Sequence, residues 1–105
     1  MQDEEIISKT VLKKFTNDNV KLSIIRRKRD ELLINTDLFM LVDYPISEEL
    51  REELKQYRQK LRDITNIDGL SDKPVCGYVY SKDGIVYNDY MVDGIEWPII
   101  PNGLF

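Results

Sequence analysis

A chain of 105 residues with 42% hydrophobic and 32% charged side chains has the make-up of one modest globular domain and is too short for two independent cores. The sequence has no histidine and a single cysteine, which removes imidazole bases, imidazole metal ligands and any internal disulfide. Its net charge of −4 lies in the tail, since residues 1–65 carry 13 basic and 13 acidic side chains and residues 66–105 carry 2 and 6.

The acidic balance argues against a nucleic-acid binder, whose affinity rests on a basic surface. No apolar run approaches the ~20 residues of a membrane span. The acidic start MQDEEIISKT lacks the basic-then-apolar order of a signal peptide. Together with the unpaired Cys76, this gives the expectation of folding in a reducing cytoplasm.

Residues 3–15 place Ile7, Val11 and Phe15 at helical spacing, so a short N-terminal helix is expected, with strand pairing of Ile6–Val11 as the other option. The polar run Thr16–Asn19 breaks the chain and offers Asp18 or Asn19 as a helix cap. Val20–Asn35 reads as a helix with Leu22, Ile25, Leu32 and Leu33 inward. Arg29 falls on that same stripe, where it either lays its stem along the core or pairs with a partly buried acid. Thr36–Pro45 is too long for a tight turn and too apolar for an open loop. Its Leu38, Phe39, Leu41 and Val42 are expected to fold back and seal one end of a helical hairpin, with Asp37 and Asp43 bracketing them in turns.

Ser47–Ile64 carries the clearest signal. Leu50, Leu54, Tyr57, Leu61 and Ile64 form one apolar stripe, and charged residues fill the other faces. Ser47 suits the N-cap; Glu48 and Glu49 then suit the positive end of the helix dipole, and Lys60 and Arg62 the negative end. Beyond Thr65–Pro74, a loop by composition, Val75–Tyr80 and Ile85–Tyr90 flank Ser81-Lys82-Asp83-Gly84 and read as a β-hairpin. A two- or four-residue loop puts Tyr78, Tyr80, Ile85 and Tyr87 on one face and Val79 and Val86 on the other; a bulged three-residue loop would break that parity. The prolines at 98 and 101 keep the segment around Trp97 extended.

The expected fold is therefore α+β within a single domain, 1–105. It has an N-terminal segment (1–19), a hairpin of two to three helices (20–65), a small C-terminal β-hairpin (75–90) and an extended Trp-Pro segment (96–101).

Several of these pieces, in this order, resemble the phage tail assembly chaperone family. They are Arg29 with Leu32 and Leu33, the Thr36-Asp37 pair, the Asp43-x-Pro45 turn, the run Tyr57-Arg58-Gln59-x-Leu61-Arg62-Asp63, and Trp97-Pro98 followed by Pro101. The resemblance covers residues 29–64 and 96–101. Two departures stand out: the family usually has tryptophan after the Thr-Asp pair where this chain has Leu38, and the β-hairpin lengthens the segment before Trp97. The resemblance implies a bacteriophage tail-associated protein, either an assembly factor or a virion component. Other tail or fibre proteins, or further copies of the chain, would be its partners in the host cytoplasm or in the virion tail. It also marks Arg29, Asp37, Tyr57, Arg58, Leu61, Arg62, Trp97 and Pro98 as the shared structural motif.

Enzyme chemistry has little footing. Cys76 has no base in view to activate it, and a small buried residue at a strand start is the simpler reading. Asp68/Asp72 and Asp89/Asp93 show no calcium-loop spacing, so no metal and no cofactor is expected. Arg26–Arg29 is the one basic run and would serve a nucleic-acid-contacting adaptor, the alternative function; successive helical residues diverge by about 100°, so it forms no single patch. Arg58 and Arg62 are candidates either to brace the Trp97–Pro101 segment or to meet a partner. Tyr78, Tyr80, Tyr87, Tyr90 and Phe105 are the candidate protein interface, since aromatics concentrate at interface cores. The other reading is that the tyrosine face covers the helices.

Overall fold

A computed structural model describes residues 4–12 and 17–104. Strand β1 (Glu5–Leu12) is followed by helix α1 (Asp18–Thr36), a 3₁₀ turn (Asp37–Met40) and helix α2 (Glu48–Arg62). Two further 3₁₀ turns, Asp63–Thr65 and Leu70–Asp72, lead into β2 (Val75–Lys82) and β3 (Ile85–Val92). Two helices and one antiparallel sheet of three strands, ordered β1-β2-β3, make an α+β fold.

The N-terminal segment corrects the expectation of a helix. Glu5–Leu12 is an edge strand paired antiparallel with β2, from Glu5 opposite Ser81 to Leu12 opposite Val75, with a bulge at Ile7. Four β-branched residues in eight (Ile6, Ile7, Thr10, Val11) suit a pleated surface better than a helix. The bulge resets the alternation between Ile6 and Ser8, which hides the strand period from the sequence. Phe15 and Phe105 lie outside the described residues.

The contacts divide the chain into two units, Met1–Ile25 with Asp68–Ile95, and Arg26–Ile67 with Glu96–Phe105. In the first, the hairpin turn has only two residues. Asp83 (φ 54°) and Gly84 (φ 79°) both adopt the left-handed conformation that a type I′ turn needs and that Asp-Gly supplies. Val75 and Val92 pair on one face of the sheet and are buried, and Cys76 is buried on the other. Asn17 initiates α1, its side chain accepting from the Asn19 N–H at 2.7 Å and its carbonyl from Val20 and Lys21, one residue earlier than the expected cap. Lys21 is 2% exposed and donates to the carbonyls of Leu70 and Ser71 at 3.0 and 3.1 Å, while the Ser71 hydroxyl donates to Asp18.

The second unit is built on the stripe of α2. Leu54, Tyr57 and Leu61 are buried with Phe39 and Leu104, and Leu32, Leu33, Leu50, Trp97 and Ile100 pack against that cluster. Ser47 caps α2, accepting from the Leu50 N–H at 3.0 Å. The connector corrects a second expectation. Phe39 alone among its four apolar residues is buried, edge-on to Tyr44 with ring centroids 4.9 Å apart; Leu38, Leu41 and Val42 are exposed. The tight turn Leu41–Tyr44, closed by a 3.0 Å bond from the Tyr44 N–H to the Leu41 carbonyl, holds Val42 at its apex.

Candidate functional site

The sheet carries the first candidate surface. Its register aligns Ile6, Tyr80 and Tyr87 across the three strands on one face, and Tyr80 and Tyr87 stack with centroids 5.4 Å apart and planes 21° from parallel. Directly opposed aromatic residues of an antiparallel pair stabilise it by about 0.2–1 kcal/mol. Tyr78 and Ile85 share the face, whereas Tyr90 lies on the opposite one, opposite Gly77. There Thr10, Leu12, Gly77, Asn88 and Tyr90 line a shallow groove of about 280 Å³. Tyr78 and Tyr80 are half-buried; Ile6, Ile85 and Tyr87 are exposed, Ile6 by 53% and Tyr87 by 40%. Apolar side chains thus cluster in the open around the turn end of the sheet, and the buried residues lie at the other end.

Toward that other end, Lys9 and Asp93 form an exposed ion pair at 2.8 Å, the Tyr78 hydroxyl donates to Asp93 at 3.4 Å, and the ammonium stands 5.6 Å from the Tyr78 ring centre. The bond to Asp93 pushes Lys9 up to about 12, and the same bond holds the Asp93 carboxyl below its usual range. Burial, aided by the Asp93 charge, pushes the Cys76 thiol up, away from nucleophilic character.

In the second unit the motif residues resolve into a clasp and a cleft. Arg58 Nη1 donates to the Leu33 carbonyl at 2.8 Å and to Thr36 Oγ1 at 2.7 Å, and Nη2 meets Asp37 Oδ1 at 2.9 Å. Thr36 is fully buried, and its hydroxyl turns back to the Leu33 carbonyl at 3.1 Å. Arg58 therefore satisfies orphan groups at the end of α1, where a cation also suits the helix dipole. The alternatives weighed from sequence for Arg58, the Trp97–Pro101 segment or a partner, are not where these bonds go. Arg62 is exposed on the last turn of α2; Leu61 is fully buried. Arg29 is half-buried and paired with its neighbour Asp30 at 2.9 Å. The basic run is split, with Arg26 and Arg27 exposed and Lys28 and Arg29 half-buried.

The cleft, about 420 Å³, lies beside Trp97 and is lined by Lys28, Leu32 and Asn35 of α1, Tyr57 of α2, and Pro98 and Ile100. Trp97 and Pro98 are half-buried, and burial pushes the Tyr57 hydroxyl up. Sequence reasoning did not single out Lys21, the burial of Thr36 or the apex position of Val42. For Val42 a signal existed, because an aliphatic residue beside Asp43 is unusual at a turn apex, where small and polar residues are favoured.

Among the described residues no group of three or more acidic, cysteine or histidine side chains could hold a metal, and no helix is long and apolar enough to cross a membrane. No curated protein and no solved structure matches the chain. A family model described as phage tail assembly chaperone protein matches residues 22–102, which include the Arg58 clasp, the Trp97 cleft and the whole β2–β3 hairpin, and the chain belongs to that family.

Proposed function

We propose that the chain serves phage tail assembly without catalysis, by offering the turn end of its sheet to another tail protein in the host cytoplasm. The observation that supports this is the row Ile6–Tyr80–Tyr87, whose two outer members are exposed and whose middle one is half-buried, extended by the exposed Ile85. Stacked tyrosines are rigid, large and partly polar, which suits them to an interface core. A two-residue hairpin holds them in place before any partner arrives, so little ordering entropy opposes binding.

The same row supports a second reading, residence in the finished tail, because a lasting interface would cover it permanently. Purification of tagged protein from infected cells, followed by mass spectrometry of the captured material and of finished particles, tests the reading. Tail proteins should accompany the wild type and be lost from the Tyr87→Asp variant. Equal capture by both would remove the sheet from the interface. Stoichiometric presence of the chain in particles would favour residence.

A further inference from the structure

The second unit carries a protruding apolar turn and an apolar cleft, and its charges are unevenly divided between them. Residues 37–53 hold six acids and one base, whereas residues 26–29 and 55–62 hold eight bases and no acid. The bonds of α2 place these groups. Arg51, near its start, donates to the carbonyls of Leu41 and Tyr44 at 3.4 and 3.1 Å, and Arg58, two turns on, reaches Leu33 and Thr36. The acidic group therefore lies along the connector and the first turns of α2, and the basic group extends from the middle of α2 to its far end, a helix roughly 20 Å long. Asp30 and Glu31 stand between, Asp30 already paired with Arg29; Asp37 is paired with Arg58, Asp63 follows Arg62, and Glu96 precedes Trp97.

At the acidic end the turn presents Val42, 91% exposed at its apex, with Leu41 before it and Asp43 after it. Burying an exposed valine is favourable, and nothing in the turn's own geometry calls for one there. At the basic side the cleft presents Leu32, Tyr57, Trp97 and Ile100, with Lys28 among its lining residues. A cavity of about 150 Å³ holds a benzene molecule. One of about 420 Å³ has room for two aliphatic side chains.

We propose that copies of this chain associate head to tail, the Leu41–Val42 turn of one copy seated in the cleft beside Trp97 of the next, with Asp43 facing Lys28. A second copy is the favoured occupant, because knob and hole are both on this chain and Asp43 beside the knob is opposite in charge to Lys28 at the hole. Such an interface is heterologous, so each copy keeps one unused knob and one unused hole and growth does not stop at two. A turn in a cleft covers little area, which puts the contact among weak, transient ones, strengthened by charge and weakened by salt. It needs no tail partner, and so stands or falls separately from the reading of the sheet.

Sedimentation velocity on the purified full chain tests it, over a concentration series at low and moderate salt. The weight-average mass should rise above the 12.4 kDa of the monomer with concentration and fall back with salt. Val42→Asp, which spoils the knob, and Lys28→Glu, which spoils the hole, should each weaken association at least tenfold; both positions are outside the buried core, and circular dichroism verifies folding. Mixing the two variants is the decisive arm. The intact hole of one then meets the intact knob of the other, so the mixture should form a species of two chains and nothing larger. A monomer at every concentration overturns the proposal. Association that either variant leaves intact shows a different occupant or surface, and a mixture that stays monomeric shows that the turn and the cleft are not each other's partners; each overturns it too.

Discussion

Arg58 donates a 2.7 Å hydrogen bond to the hydroxyl of Thr36, a residue with no exposed surface at the last position of α1. The same guanidinium reaches the Leu33 carbonyl and Asp37, so one α2 side chain closes the end of α1. The Asp37 carboxylate is more than half exposed, and screening leaves that ion pair little weight beside the two part-buried hydrogen bonds. Arg58→Ala should cost about 2–3 kcal/mol, since hydrogen bonds to charged donors contribute ~1.5–3 kcal/mol, and lower the melting midpoint by roughly 10 °C. Arg58→Lys should recover little of this, lacking the planar fork. A double-mutant cycle with Thr36→Ala checks the pairing; additive losses would show that the two residues do not act together.

Trp97→Ala should destabilise by on the order of 2–4 kcal/mol. Full truncation of a buried tryptophan costs about 3–5 kcal/mol, and Trp97 is half-buried against the Leu54–Tyr57–Leu61 cluster. Thermal unfolding measures the loss. An unchanged midpoint would leave Trp97 with no role in holding the second unit together.

The Lys9–Asp93 pair sets a pH dependence of stability at both extremes. Asp93 titrates below its usual range when folded, so its contribution is complete above the ordinary carboxylate value and is lost as pH falls through the lowered one. Lys9 titrates at about 12 rather than 10.5, so its contribution is complete below 10.5 and is lost as pH rises through about 12. Between those limits the pair should leave stability flat. Unfolding of Lys9→Met against the parent across pH checks this, and the difference between them should shrink at both ends; a difference constant over the whole range would contradict the assignment. The pair is exposed, so raising the salt should shrink it as well.

Gly84→Ala should cost about 1–2 kcal/mol through backbone strain alone, because φ is 79° and nothing lies within 4 Å of the added methyl. Asp83→Asn should be close to neutral, as asparagine also tolerates the left-handed region that Asp83 occupies at 54°. Denaturant unfolding separates the two variants. Equal stability for both would mean that the turn relaxes away from its two-residue form.

What the sequence reveals depends on how local the determinant is. The α2 stripe and the Ser47 cap are local, and the structure shows both. The Asp-Gly turn is also local, and its two positive φ values bring Tyr80 opposite Tyr87. β1 was misread because its partner is more than sixty residues away and a bulge at Ile7 breaks its alternation. The burial of Thr36 and of Lys21 was not foreseen because it depends on acceptors and donors far along the chain, Arg58 for one and the Leu70 and Ser71 carbonyls for the other. The connector was expected to bury its apolar residues, but a four-residue turn turns Val42 outward whatever its hydrophobicity.

The most direct test of the central claim is complementation of a phage lacking this gene, with tails counted by electron microscopy. The wild-type chain should restore tails, whereas Ile85→Asp/Tyr87→Asp, folded by circular dichroism and expressed to the same level, should not. Normal tail numbers with that variant would contradict assembly through the tyrosine-bearing face of the sheet.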